Sequence, residues 1–202
     1  MARHKEAERE KIVGETRQAL LQAATDEFAR EGYRGANVNR ISKAAGFAKG
    51  TIYNYFPSKR ALMLELIDTI AAAHHHLVAE QVWQEEDPVC GLRRFFQAGA
   101  DWIVDHLAAG RVMLTVLHGP DAEFKLRMRQ GYQPMHQLLV TAVLVPGIER
   151  GIFRPLDPGA TAGLLMTLYL GIGSAVNDEG RSQLAPEWIA GFVLEGLRKQ
   201  AE

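Results

Sequence analysis

Apolar residues recur three and four positions apart along almost the whole chain, and that spacing most restricts the folds open to it. Leu20, Ala24 and Phe28 form one such stripe, and Leu62, Leu66, Ile67, Ile70 and Leu77 form another. Side chains three or four apart share one face of a helix, whereas a half-buried strand needs alternation, which is scarcely visible here. The chain is therefore expected to be all-α, with glycine, proline and short polar residues deciding where each helix starts and stops.

A first helix is expected over 15–31, stopping at Gly32, since glycine takes the left-handed conformation many helix ends require. Asn37 can accept a backbone N–H and so cap a helix over 38–45. Gly46 ends that helix, and another short one is expected over 49–55. Pro57 and Ser58 then break the chain and cap a long helix reaching about Gln81. Past the polar QEEDP, the pattern gives helices over 88–107 and 110–118 and a helical stretch over 121–150, which Pro134 and Pro146 should kink or divide. The last two helices are expected over 158–177 and 186–200.

Two short helices about a tight turn at Gly46, Phe47 and Ala48 read as a helix-turn-helix, whose second helix can enter a DNA major groove. Val38, Ile41, Ala45, Phe47, Ile52 and Phe56 would fix the crossing, leaving Lys49, Gly50, Thr51, Tyr53, Asn54 and Tyr55 facing away. Phe56 is thus read as core and one or both tyrosines as surface groups able to reach a phosphate or a thymine methyl. Charge agrees: the chain carries −1, but residues 1–60 hold 12 Lys and Arg against 7 Asp and Glu. A polyanion selects for such a field. The arm carrying Arg3, His4, Lys5, Arg9 and Lys11 could reach a minor groove, while the interleaved Glu6, Glu8 and Glu10 equally suit a solvated helical extension.

From Leu20 to Leu64, and above all in G-x3-A-N-V-x2-I-S-x-A-A-G-F-x-K-G-T-I-Y-N-Y-F-x-S-K-x-x-L from Gly32 to Leu62, the chain resembles the DNA-binding region of the tetracycline-repressor (TetR) family of bacterial regulators. The resemblance implies an N-terminal three-helix helix-turn-helix domain, 1–57, followed by a larger helical effector-binding and dimerisation domain, 58–202. It implies that Asn37, Tyr53, Tyr55 and Lys59 grip phosphates, and that Asn39, Arg40, Lys49, Gly50, Thr51 and Asn54 fall where base edges can be reached. Asn37 stands where the family commonly has threonine, an equal or better cap. Ala48 replaces the usual serine and loses a cap of about 1 kcal/mol, so a less ordered recognition helix is expected.

The C-terminal part offers Trp102, His106, Met113, Leu117, Met128, Tyr132, His136, Met166 and Tyr169, with His118 and Met135, as an apolar, polarisable lining that suits a hydrophobic or aromatic effector. Methionines and aromatics at helical spacing equally build an ordinary core. The run His74, His75, His76 places consecutive imidazoles about 100° apart on a helix, so they cannot converge on one ion; one of them can face the interior. No metal or other cofactor is expected. YLGIGS lies in a helical context with no strand before it, so its small residues, with Trp188 and Phe192, suit a helix–helix dimer interface better than a dinucleotide site. Asp101, Asp105, Asp121, Glu123 and the histidines show no catalytic spacing, and no enzyme is expected.

The lone Cys90 and the charged opening MARHKEAEREK lead us to expect a cytoplasmic protein with no membrane partner. The expected partners are a double-stranded, pseudo-palindromic DNA operator, a second copy of the chain and a small effector that releases a repressor. A dimeric DNA-binding regulator without a small-molecule effector is the other reading.

Overall fold

The structure, a computed structural model, describes residues 2–175 and 184–198. The side chains of Arg3, His4 and Lys5, Gly173 in its side-chain surroundings, and the expected helix ends at Asn177 and Gln200 lie outside the described residues.

Helix α1 spans Ala2–Gly35 with one interruption, Gly32, at φ 66°. It starts far ahead of residue 15 because 6–15 is exposed and held only by local pairing such as Lys11 with Glu15 at 3.8 Å, so no buried stripe announces it. Helix α2 spans Val38–Ala44, capped by Asn37, whose Oδ1 accepts the Asn39 N–H at 2.9 Å. In place of the helix expected over 49–55 there is a single 3-10 turn, Thr51–Asn54, entered through Gly50 at φ 86° with no side-chain cap. Ala48 offers only its carbonyl, 3.2 Å from the Thr51 N–H, where a serine would add a side-chain oxygen. Helix α3, Lys59–Val82, begins at Ser58, whose Oγ accepts the Ala61 N–H at 3.0 Å.

Helix α4 covers Pro88–Asp105 behind the Asp87 cap; His106, at φ −127° and ψ 50°, separates it from α5, Leu107–His118. The stretch 121–150 divides. Helix α6 is Ala122–Gly131, capped by Asp121, and α7 is Gln133–Leu138, with Pro134 in its first turn. A π-helical turn, Leu139–Leu144, leads into α8, Val145–Glu149, with the Val145 N–H reaching back to Val140 O. Pro146, lacking an N–H, sits at the start of α8, where the ladder resets. Helices α9, Pro158–Ser174, and α10, Pro186–Leu197, complete the fold.

The residues described form an all-helical protein in which α1, α2 and the 3-10 turn pack around Leu20, Ala24, Phe28, Ile41, Ile52 and Phe56 and rest on α3. Helix α3 then continues into the body, against α4 and α6; α10 packs on α4, and α1 also leans on α5. No described helix is long and apolar enough to cross a membrane.

Candidate nucleic-acid interface and core chamber

The residues expected at DNA fall into two groups. Asn39, Lys49, Tyr53 and Asn54 are exposed around the 3-10 turn, with Thr51 half-buried beside them; Tyr53 keeps 52% of its surface in water. Gly50 supplies the left-handed residue that brings the turn forward. The other group is engaged within the protein. Asn37 caps α2 and gives its own N–H to Glu27 at 2.8 Å; Arg40 binds the same carboxylate through Nε at 2.9 Å. Tyr55 is half-buried and packs against the core. The Lys59 ammonium donates to Ala36 O at 2.9 Å and Arg34 O at 3.2 Å and lies over the Tyr33 ring. These are orphan carbonyls at the end of α1, so Lys59 acts as a C-terminal cap across the chain.

Glu27, only 4% exposed, is a positioning residue of the head that the sequence reading passed over. It also pairs with Arg30. Its spacing from Leu20 and Ala24 put a carboxylate in the core stripe, which was the available signal: such a group must find donors. Those it finds, at Asn37 and Arg40, tie α1 to the start of α2.

In the body, the three histidines part company. His76 is exposed and faces Glu80, His75 is half-buried, and His74 is buried. The Ile67, Ile70, Ala71, Val78 face of α3 carries His74 inward, and this register was legible. Its Nδ1 is 3.0 Å from the Tyr132 hydroxyl and its Nε2 is 2.6 Å from the Tyr169 hydroxyl. The ring stacks on Trp102 at 4.1 Å between centroids, and His106 stacks on the same indole at 4.7 Å. Burial, helped by the neighbouring His106 and His75 charges, pushes the His74 pKa down to about 3. Burial likewise pushes the Tyr132 and Tyr169 hydroxyls up, so all three groups are neutral at physiological pH.

Trp102, Met113, Leu117, Met128, Tyr132 and Tyr169, with His74, Ile103 and Leu114, line a small apolar chamber of about 30 Å³. An outer chamber of about 260 Å³ is lined by His136 and Met166 together with Lys125, Arg129 and Gln133. Leu117, Met128, Tyr132 and Leu170 belong to both, so the two adjoin across these side chains. His106 instead lines an outer cleft against α1, Met135 is fully buried in the core, and His118 is exposed.

The unfolded chain takes a proton on His74 below about pH 6.5, whereas the folded protein refuses it until about pH 3. Between those values the unfolded state binds more protons, so stability falls as pH falls, by on the order of 1 kcal/mol per pH unit. His74→Phe should flatten this slope: urea unfolding at pH 7 and pH 5 is expected to show a smaller loss in the variant than in the parent protein. Equal losses would show that His74 contributes nothing to the acid sensitivity.

Residues 20–66 match the family model described as bacterial regulatory proteins, tetR family. Solved structures of similar fold include the regulator FadR from Bacillus subtilis in complex with stearoyl-CoA, with a TM-score of 0.76, 20% identity, and 88% of this chain and 95% of that one covered. FadR from Bacillus halodurans gives a TM-score of 0.75 at 21% identity over 88% and 95%. In sequence, the HTH-type transcriptional regulator RutR of Escherichia coli strain K12 is 35% identical over 205 residues, covering 94% of each chain. With an exposed turn on a three-element head, an all-helical body, and a full-length transcriptional regulator this similar, the chain belongs to the TetR family of bacterial DNA-binding transcriptional regulators.

Proposed function

We propose that the protein is a cytoplasmic, homodimeric repressor, released from a pseudo-palindromic operator when a small, largely apolar molecule enters the core chamber. Residues 1–57 serve as the DNA-binding head and 58–202 as the effector-binding and dimerisation domain. The observation that carries this reading is α3, which runs unbroken from Lys59 beneath the head to His74 on the chamber wall. Helix α6 offers a second link. Arg60 pairs with Asp121 and Glu123 at its start and lies over Phe124, while Met128, further along, lines the chamber. That the fold similarity extends to FadR solved with stearoyl-CoA supports a body able to hold an apolar chain. An effector shifts the DNA-binding equilibrium only by the difference in its affinity for the two arrangements.

Asn39, Lys49, Thr51, Tyr53 and Asn54 form the DNA-facing surface, with Lys49 meeting a phosphate, and Asn37, Arg40, Tyr55 and Lys59 hold it in place. Genomic fragments selected by the protein should share a two-fold symmetric site, because two symmetric heads demand it. On such a fragment Lys49→Met should lower the slope of log affinity against log salt by about 2, one phosphate contact per head, with a loss of roughly 10- to 100-fold in affinity. Lys59→Met should weaken binding by loosening the head while leaving the slope unchanged. The reverse pattern would give Lys59 the phosphate contact, and selection of no common site would sink the proposal.

A further inference from the structure

Resting on the reading of the core chamber as the effector site, we infer that the effector is an organic anion. Its apolar body lies in the outer lobe of about 260 Å³ across Leu117, Met128, Met166 and Leu170, with its deep end at the inner chamber, and its negative group sits in the same lobe against Lys125 and Arg129. Lys125, Met128, Arg129 and Tyr132 lie at helical spacing along α6 and its C-terminal end, so one face presents two cations beside an apolar floor. Other cations of this region are neutralised: Arg127 by Asp68, and Arg60 by Asp121 and Glu123. Lys125 and Arg129 have no ion pair with a described residue, and the described lining of the lobe contains no carboxylate. Two like charges four residues apart on a helix repel, and a bound anion relieves that repulsion.

His136 points the same way independently. Its Nε2 lies 3.1 Å from Gly159 O, an acceptor, so Nε2 carries the hydrogen. Its Nδ1 is buried, meets no protein partner, and belongs to a ring that lines the lobe. An unpaired buried nitrogen on the lobe wall, beside the two cations, calls for a polar ligand group rather than a purely hydrocarbon one. The inner chamber, apart from His74 and the two tyrosine hydroxyls, offers only apolar and aromatic surface. Apolar on Leu117, Met128, Met166 and Leu170 and cationic at Lys125 and Arg129, the outer lobe fits a ligand with an apolar body and a negative tip. A free carboxylic acid and an acyl thioester on a phosphorylated carrier share that chemistry.

Calorimetric titration of the full-length protein with matched probes separates the outcomes: 4-phenylbutyrate and decanoate, their neutral amides, and decanoyl-CoA. The acids, the thioester or both should bind at least about tenfold more tightly than the amides, as a charge-assisted contact in a partly dry site allows. Lys125→Gln with Arg129→Gln should abolish that preference while leaving the amide affinities as they were. Preference for decanoyl-CoA over decanoate would identify the carrier phosphates as the anion, and the converse the carboxylate. Amides that bind as tightly as acids, a preference that survives the double substitution, or failure of every anionic probe to bind would each overturn the inference. The underlying site has a separate control. Met128→Trp fills the chamber, so a probe that binds this variant and the parent equally, acid or amide, occupies some other place, and the chamber is then not the effector site. An amide that binds, is blocked by Met128→Trp and releases operator DNA keeps that site and refutes only the anion.

Discussion

Trp188→Asp combined with Phe192→Asp is expected to leave a folded monomer of 22.4 kDa that no longer holds its operator. The two rings stack at 5.8 Å on one side of α10, each 63% exposed, while Ile189, Ala190, Val193, Leu194 and Leu197 bury the other side. Leu164 and Leu168 similarly stand exposed on α9. Large aromatic groups left in water without structural need mark an interaction surface, and such residues dominate interface energetics when covered. Because the buried face of α10 is untouched, helical content should persist. Each head alone loses the effective concentration that its partner supplies, so operator affinity should fall by on the order of 100-fold or more. Sedimentation equilibrium reads the mass and fluorescence anisotropy reads the DNA. A dimer that survives both substitutions would place the interface elsewhere.

Gly99→Ala should destabilise the protein strongly. A Cβ at residue 99 would lie 2.0 Å from the Tyr169 hydroxyl oxygen and 2.1 Å from its ring. Tyr169 cannot step aside freely: it is fully buried, its hydroxyl contacts His74, and its ring lies 4.6 Å from Phe95. Overpacking of this kind typically costs about 1–3 kcal/mol, and the upper end applies because a buried hydrogen bond is displaced as well. In urea the midpoint should drop without a change in slope. Tyr169→Leu in the same chain should restore part of the loss, giving a favourable coupling in the double-mutant cycle. If Gly99→Ala costs under half a kilocalorie, the packing of α4 against Tyr169 is looser than described.

Much of the helical plan was legible because its signals are local. Asn37 and Ser58 cap helices where their short polar side chains announced them, and Pro134 and Pro146 mark the division of 121–150. The missed features depend on distance or on exposure. Among the first fourteen residues of α1 the only large apolar side chains are the adjacent and exposed Ile12 and Val13, so no stripe could show how far it extends. The recognition element is a 3-10 turn because left-handed Gly50 interrupts the expected helix and neither Gly50 nor Ala48 provides a side-chain oxygen to cap it. Arg40 and Lys59 look like free cations in sequence; their partners, Glu27 and the carbonyls of Arg34 and Ala36, are brought to them only by folding. One histidine of the run of three was expected to face the interior, and the core register of α3 makes it His74.

The trio at His74 carries an imbalance in hydrogens. A neutral imidazole has one ring hydrogen and each phenol has one, yet only two contacts join the three groups. Whichever nitrogen is protonated, one tyrosine donates to the ring and the other accepts from it, and the accepting phenol still has its own hydrogen to give away. That spare O–H is a polar point on an otherwise apolar wall, and a single water, for which the chamber has room, is enough to receive it.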